Sequence, residues 1–222
     1  MILIVNVCAE KLHYFEFVKP IEDIVGGDFV TRHYSELGEE DLVNCDKVII
    51  CGTSLADNKF LGDLDKFDWL KDFRKPVLGI CAGFQIIGLT FGGKIEAGRS
   101  AYPQLRNSGA KTEIGYFREN FDRELFGLKG EVEVYHLHNN FVSGWSDDWE
   151  VWGEEIAQAV KHKDREIYGV LFHPEVRNKD LVVQFIRAPR ARFDKPKQPA
   201  RKSREHDLEV RNKDLAREFV KL

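Results

Sequence analysis

Residues 77–88, VLGICAGFQIIG, pass from one aliphatic run into another through a cysteine with a glycine two residues away on each side, Gly79 and Gly83. The first run belongs to PVLGIC (76–81) and reads as a strand buried on both faces, as in a parallel sheet covered by helices. The second, AGFQIIGLTFG (82–92), reads as a helix that starts without an intervening loop and stops at Gly92-Gly93, a glycine C-cap signal. A cysteine that only fills a core needs no flanking glycines. A nucleophile lifted from a sharp strand-to-helix turn does, because the backbone crowds on both sides of it. With 18 glycines in 222 residues, two such neighbours around any of four cysteines arise by chance about 3% of the time.

Elsewhere in the chain, ILIVNV (2–7), FVTRHY (29–34) and KVIIC (47–51) read as further strands. LDKFDWLKDF (64–73) places Leu64, Phe67, Leu70 and Phe73 three apart on one helical stripe. TEIGYF (112–117), EVEVYHLH (131–138), WEVWGE (149–154) and IYGVLFHP (167–174) look like later strands, several with alternation. Strand–helix units early and strands late predict an α/β fold: a mostly parallel sheet flanked by helices, with antiparallel strands at one edge.

The composition, 43% hydrophobic and 32% charged, is that of a globular protein with enough apolar material for a core. A net charge of −4 argues against nucleic acid as a whole-chain ligand. The start, MILIVNVCAE, lacks a basic leader and is too short an apolar run to span a bilayer, so it reads as the first strand of a cytoplasmic protein with no membrane partner. Cys8, Cys45, Cys51 and Cys81 show no zinc spacing and read as free thiols.

Residues 1–187 are expected to form the catalytic domain. After Arg187 the character shifts: residues 188–208 hold three prolines and seven Lys or Arg against three acids, the composition of a linker. EVRNKDL then occurs at 209–215 as it does at 175–181, which reads as a duplicated terminal helix within 188–222.

An activated cysteine needs a base, and the base an orienting acceptor. Among seven histidines, His173 stands at the end of an apolar strand in YGVLFHPEV, with Glu175 two residues on. Cys81, His173 and Glu175 thus form a nucleophile, base and orienter set. His13, His33, His162 and His206 sit in amphipathic, charged or tail segments. His136 and His138 alternate on one strand face, a hint of a metal, but no third ligand stands nearby in the sequence, so neither metal nor cofactor is expected.

GICAGFQIIGLTFGGKI and HKDREIYGVLFHPEV together resemble the class I, triad-type glutamine amidotransferases, most nearly the stand-alone glutaminase subunits of archaeal-type GMP synthases. The resemblance covers roughly residues 1–187. It implies a flavodoxin-like three-layer fold and a Cys81–His173–Glu175 triad. It also implies oxyanion donors at Ala82 and Gly52, and Gln85 beside the substrate. Where the family has Gly-Gly-Pro in its second oxyanion loop, this chain has Gly52-Thr53-Ser54. Where GMP synthase glutaminases carry Ser-His-x-Asp, it has Leu137, His138 and Asn140. The implied function is a cysteine-dependent glutaminase that hydrolyses glutamine and passes ammonia to a separate ATP-dependent synthetase in purine biosynthesis, since no phosphate-binding loop is found in the sequence. The altered segments motivate an alternative, a γ-glutamyl amide hydrolase of the same fold without a synthetase partner. A catalytically silent binding protein is disfavoured by the complete triad.

Overall fold

The computed structural model describes residues 1–97, 112–153 and 156–189. The described residues belong to one compact unit. The predicted linker and duplicated helix lie, apart from their first two residues, outside the described residues.

Seven strands make the main sheet: β1 (Ile2–Asn6), β2 (Phe29–His33), β3 (Lys47–Ile50), β4 (Val77–Ile80), β9 (Trp149–Trp152), β10 (Ala159–His162) and β11 (Ile167–Val170). Their order is β2-β1-β3-β4-β11-β10-β9. The first five are parallel, and β10 and β9 add antiparallel at one side. This is the predicted arrangement. β3 and β4 are buried at every position because both faces are covered. The two-residue period deals their side chains alternately to two cores. Ile4, Ile49, Leu78 and Ile80 face one layer, with Ile21, Leu181 and Phe185. Leu3, Val48, Ile50 and Val77 face the other, with Phe67, Phe84 and Ile87. Each fully buried aliphatic contributes about 1.5–3 kcal/mol, so neither layer is dispensable.

The first layer holds α1 (Lys19–Val25), entered through a π turn at Tyr14–Val18, and α4 (Lys179–Arg187). Lys47 is buried, and its ammonium donates to the carbonyls of Phe185 (2.6 Å), Ile186 (2.8 Å) and Ala188 (2.5 Å), closing the C-terminus of α4. The second layer holds α3 (Ala82–Thr90). Its end is a Schellman closure: Gly92 at φ +90° donates to Leu89, and Gly93 donates to Gly88 at 2.8 Å. A short α2 (Glu39–Asn44) precedes β3.

The stretch read as a helix over 64–73 is a 3₁₀ helix, Leu64–Lys71. A stripe with a spacing of three is the natural period of that tighter helix, with its three residues per turn. The strand predicted through Pro174 ends at Val170. TEIGYF and EVEVYHLH are parts of one long hairpin, β6 (Glu113–Leu125) and β7 (Leu128–His138). Its turn, Phe126-Gly127, has φ of 46° and 82°, the doubly positive pair of a tight hairpin turn. β5 (Lys94–Ala97) and β8 (Asn140–Ser143) pair separately. Among the described residues no helix is long and apolar enough to cross a membrane.

Candidate active site

In an open parallel sheet, ligand sites lie beyond the carboxyl ends of the strands. β3, β4 and β11 end side by side, and each is followed by one of the predicted site residues. β4 stops at Ile80 and α3 starts at Ala82, so Cys81 alone makes the turn, at φ 48° and ψ −98°. A side chain held there costs about 1–3 kcal/mol, which the packing of strand and helix must offset. A Cβ on Gly79 would lie 2.5 Å from the Gly83 carbonyl oxygen, and one on Gly83 would lie 2.3 Å from that of Ile50. The flanking glycines are thus required by backbone contact with each other and with β3.

Gly52 follows β3 by two residues. A Cβ there would meet His173 Cε1 at 2.7 Å and Cys81 Cβ at 3.4 Å. Gly52 therefore sits against both side chains, and only hydrogen fits. His173 lies three residues beyond β11. Its N–H donates to the Tyr135 carbonyl at 2.8 Å, its ring packs on Phe17 with centroids 5.4 Å apart, and Nδ1 is 2.7 Å from Glu175 Oε1. Both side chains are buried. Burial alone would lower the proton affinity of His173, but the charges of Glu175 and then Cys81 outweigh it and raise the imidazole well above its ordinary value. The other ring nitrogen, Nε2, is buried without a hydrogen-bond partner among the nitrogens and oxygens of the described residues.

Thr53, Cys81, Ala82, Gln85, Leu137 and His138 line a single cleft. All six are predicted site residues. The Cys81 thiol faces the Leu137 carbonyl oxygen at 3.6 Å. Gln85 is buried, and its Nε2 donates to the Asn140 carbonyl at 3.3 Å. The polar loop after Gly52 is tied down: Thr53 Oγ1 donates to Asp57 Oδ2 at 2.8 Å, and the same carboxylate oxygen accepts the Ala9 N–H at 2.6 Å. Hydrogen bonds here hold a loop that lacks proline.

The model of the family "Glutamine amidotransferase class-I" matches residues 28–188, most of the chain. This chain belongs to the class-I glutamine amidotransferase family. Among its relatives is a glutamine-hydrolyzing GMP synthase subunit of Methanobrevibacter smithii, 34% identical over 113 residues, covering 49% of this chain and 55% of that protein. The protein of the same name from Pyrococcus abyssi is 35% identical over 117 residues, covering 51% and 56%. The matches thus span little more than half the length of these relatives. Solved structures agree on the fold. A Thermoplasma acidophilum protein proposed to be a GMP synthase subunit superposes with a TM-score of 0.68 at 24% identity, covering 83% of this chain and 91% of that one. A glutamine amidotransferase from Thermotoga maritima gives 0.58 at 17%, covering 84% and 80%.

Within this amidotransferase fold, burial favours the protonated thiol at Cys51 and Cys8. Burial, with a smaller contribution from the Glu175 charge, pushes the Cys51 thiol well above its ordinary value. Burial pushes Cys8 up to about 11. Sequence reasoning missed three contributors. The Tyr135 carbonyl acts through the main chain, which carries no sequence signal. Asp57 is distinguished from other loop acids only by what folds over it. Glu113 is the third: β6 brings it against His136 and His138, supplying the neighbour that the local sequence lacked. Burial, reinforced by the charge of His136, pushes His138 down to about 3. Burial would lower His136 too, but Glu113 and Glu119 raise it overall.

Proposed function

We propose that this chain hydrolyses the side-chain amide of glutamine and supplies the ammonia to a separate ATP-dependent synthetase of the GMP synthase type. The observation that carries the reading is the placement of Cys81, on a strained turn at φ 48°, against a buried His173–Glu175 pair with Gly52 packed on both. Relatives named as glutamine-hydrolyzing subunits of GMP synthase support the choice of substrate and partner.

In this mechanism the Cys81 sulfur attacks the amide carbon, and the carbonyl oxygen becomes an oxyanion. Ala82 N–H, at the first turn of α3, and Gly52 N–H are the donors aimed at it. His173, whose proton affinity is raised by the charges of Glu175 and Cys81, gives its proton to the departing nitrogen, and ammonia leaves. Water then adds to the thioester, His173 takes a proton from it, and the C–S bond breaks to release glutamate. Glu175 holds the imidazole through Nδ1 and balances its charge. Thr53, Gln85, Leu137 and His138 wall the substrate.

The test is glutamate release from glutamine by the purified chain, with Cys81→Ala as control, alone and with a synthetase of the GMP synthase type. The reading expects release that requires Cys81 and rises when the synthetase and its ATP-activated acceptor are present. Cleavage of other γ-glutamyl amides with no turnover of glutamine in either condition would replace it with the synthetase-independent hydrolase. Residues 188–222 are proposed to be an appendage, so their deletion should leave basal glutaminase activity within a few-fold; loss of folding would refute that.

A further inference from the structure

The amidotransferase chemistry uses neither Glu113 nor His136, yet the hairpin buries both beside His138. His136 and His138 stand on one face of β7, and Glu113, the first residue of β6, is the cross-strand partner of His138. Glu113, His136 and His138 are 5%, 0% and 4% exposed. Their polar atoms converge: His136 Nδ1 is 2.7 Å from His138 Nε2, and Glu113 Oε2 is 3.3 Å from the first and 3.4 Å from the second. Two imidazole nitrogens and one carboxylate oxygen thus lie within 3.4 Å of one another, away from water, a grouping that a cation can hold together.

We propose that Glu113, His136 and His138 bind a divalent transition-metal ion, with Zn²⁺ the best match. Atoms at these separations share a point about 2.1 Å from each, roughly 1 Å out of their plane, which is the reach of Zn–N and Zn–O bonds. Two imidazoles and a carboxylate are a borderline donor set that suits zinc rather than magnesium or calcium, which take oxygen. A further contact has the form of a metal site's outer shell. The second nitrogen of His136, Nε2, faces Glu119 Oε1 at 3.4 Å. A carboxylate there fixes which imidazole nitrogen carries the proton and leaves Nδ1 bare for the metal. The double positive charge is balanced by the Glu113 and Glu119 carboxylates, both on β6. Three protein ligands leave a fourth position for water.

The site is separate from the nucleophile but shares its wall. Tyr135, whose carbonyl receives the His173 N–H, and Leu137, whose carbonyl faces the Cys81 thiol, alternate with the two histidine ligands on β7. A bound ion clamps β6 to β7 at this level. It acts by positioning, and does not itself touch the reacting atoms.

The test is Zn²⁺ binding by the full chain after chelator treatment, read by metal analysis and by competition with a chromophoric chelator. The Cys81→Ala background is used because a cysteine thiolate beside a histidine can also take zinc. The expected result is one equivalent bound in that background and a rise in melting temperature on adding Zn²⁺. Glu113→Gln and His136→Ala should each weaken binding at least ~100-fold, and Glu119→Gln, which keeps all three ligands, about 10- to 100-fold. With Co²⁺ as probe, visible d–d bands without a thiolate charge-transfer band are expected. Less than a tenth of an equivalent bound by Cys81→Ala, with no thermal shift, overturns the proposal in favour of a proton shared between the rings. So does unchanged affinity in Glu113→Gln, or in Glu119→Gln should the other variants fail to fold. None of these readouts depends on glutamine turnover, so they fail or succeed independently of the proposed glutaminase.

Discussion

Two adjacent parallel strands end in the same way on paper and differently in space. β3 runs through Ile50 into Cys51, and β4 through Ile80 into Cys81. Both cysteines keep their main-chain N–H in the sheet, donating to Val5 and Val170 respectively. Both are buried. After Cys51 the chain leaves in a loop, and the sulfur stays in the core, where burial keeps it a thiol. At Cys81 the backbone takes a left-handed φ, a helix begins at the next residue, and the sulfur faces a cleft instead. Residue type and burial are shared, so neither predicts reactivity here. The turn decides, and glycines make the turn possible.

The strongest test of this contrast is the pair Cys81→Ala and Cys51→Ala. The first should lower glutamine hydrolysis by ~1,000-fold or more, as removal of a nucleophile does. The second should keep activity within about 3-fold; a comparable loss in both would erase the distinction between the strand ends. Next is Gly52→Ala, whose Cβ would press on His173 Cε1 at 2.7 Å. A forced shift of the imidazole should cost ~100-fold in kcat with little change in the melting curve, because misplacement of this order has that effect.

Glu175→Gln isolates the role of charge. The Glu175 carboxylate raises His173, so its removal must lower the proton affinity of the ring. The alkaline limb of kcat/KM should move to lower pH, with a loss of about 10-fold near neutrality. An unmoved limb would assign Glu175 a purely steric role. Gly83→Ala probes the helix side: its Cβ would lie 2.3 Å from the Ile50 carbonyl oxygen, so α3 must back away from β3. About 1–3 kcal/mol of stability should be lost, measured by denaturant unfolding. The smallest effect concerns alkylation. Raised thiol values mean that Cys8 and Cys51 stay protonated between pH 7 and 9, so mass spectrometry should find them unlabelled by iodoacetamide in the native protein.

What could be read before the structure was local in sequence. The doubly buried strands announce themselves as unbroken aliphatic runs, and the Gly79–Cys81–Gly83 turn occupies five residues. His173 and Glu175 are two residues apart, so their pairing also needs no knowledge of the fold. What escaped depends on distance along the chain. Glu113 meets His138 only once a hairpin register is set, and TEIGYF and EVEVYHLH do not state that register. Tyr135 contributes a carbonyl, which every residue has. The 3₁₀ helix at Leu64–Lys71 showed its period in the spacing of three, but an apolar stripe of that kind is shared with an α-helix.

The hairpin gives the cleft a wall of unusual mechanical character. Its strands pair in regular antiparallel register from Glu113 and His138 to Phe121 and Gly130, and after an irregular stretch pair again at Leu125 and Leu128 beside the tight turn at Phe126-Gly127. At the turn, Phe126 lies against Tyr168 and Phe185, with ring centroids 4.8 Å and 5.8 Å away. At the far end, Tyr135 holds His173 and Leu137 faces Cys81. A hydrogen-bonded ladder is stiff along its length, so the regular stretch from Glu113 to Phe121 is one bar, and the irregularity before Leu125 separates it from the seated tip. Cys81 and His173 follow different strands of the sheet, yet both rest against the same regular stretch of ladder, so one bar gauges their spacing.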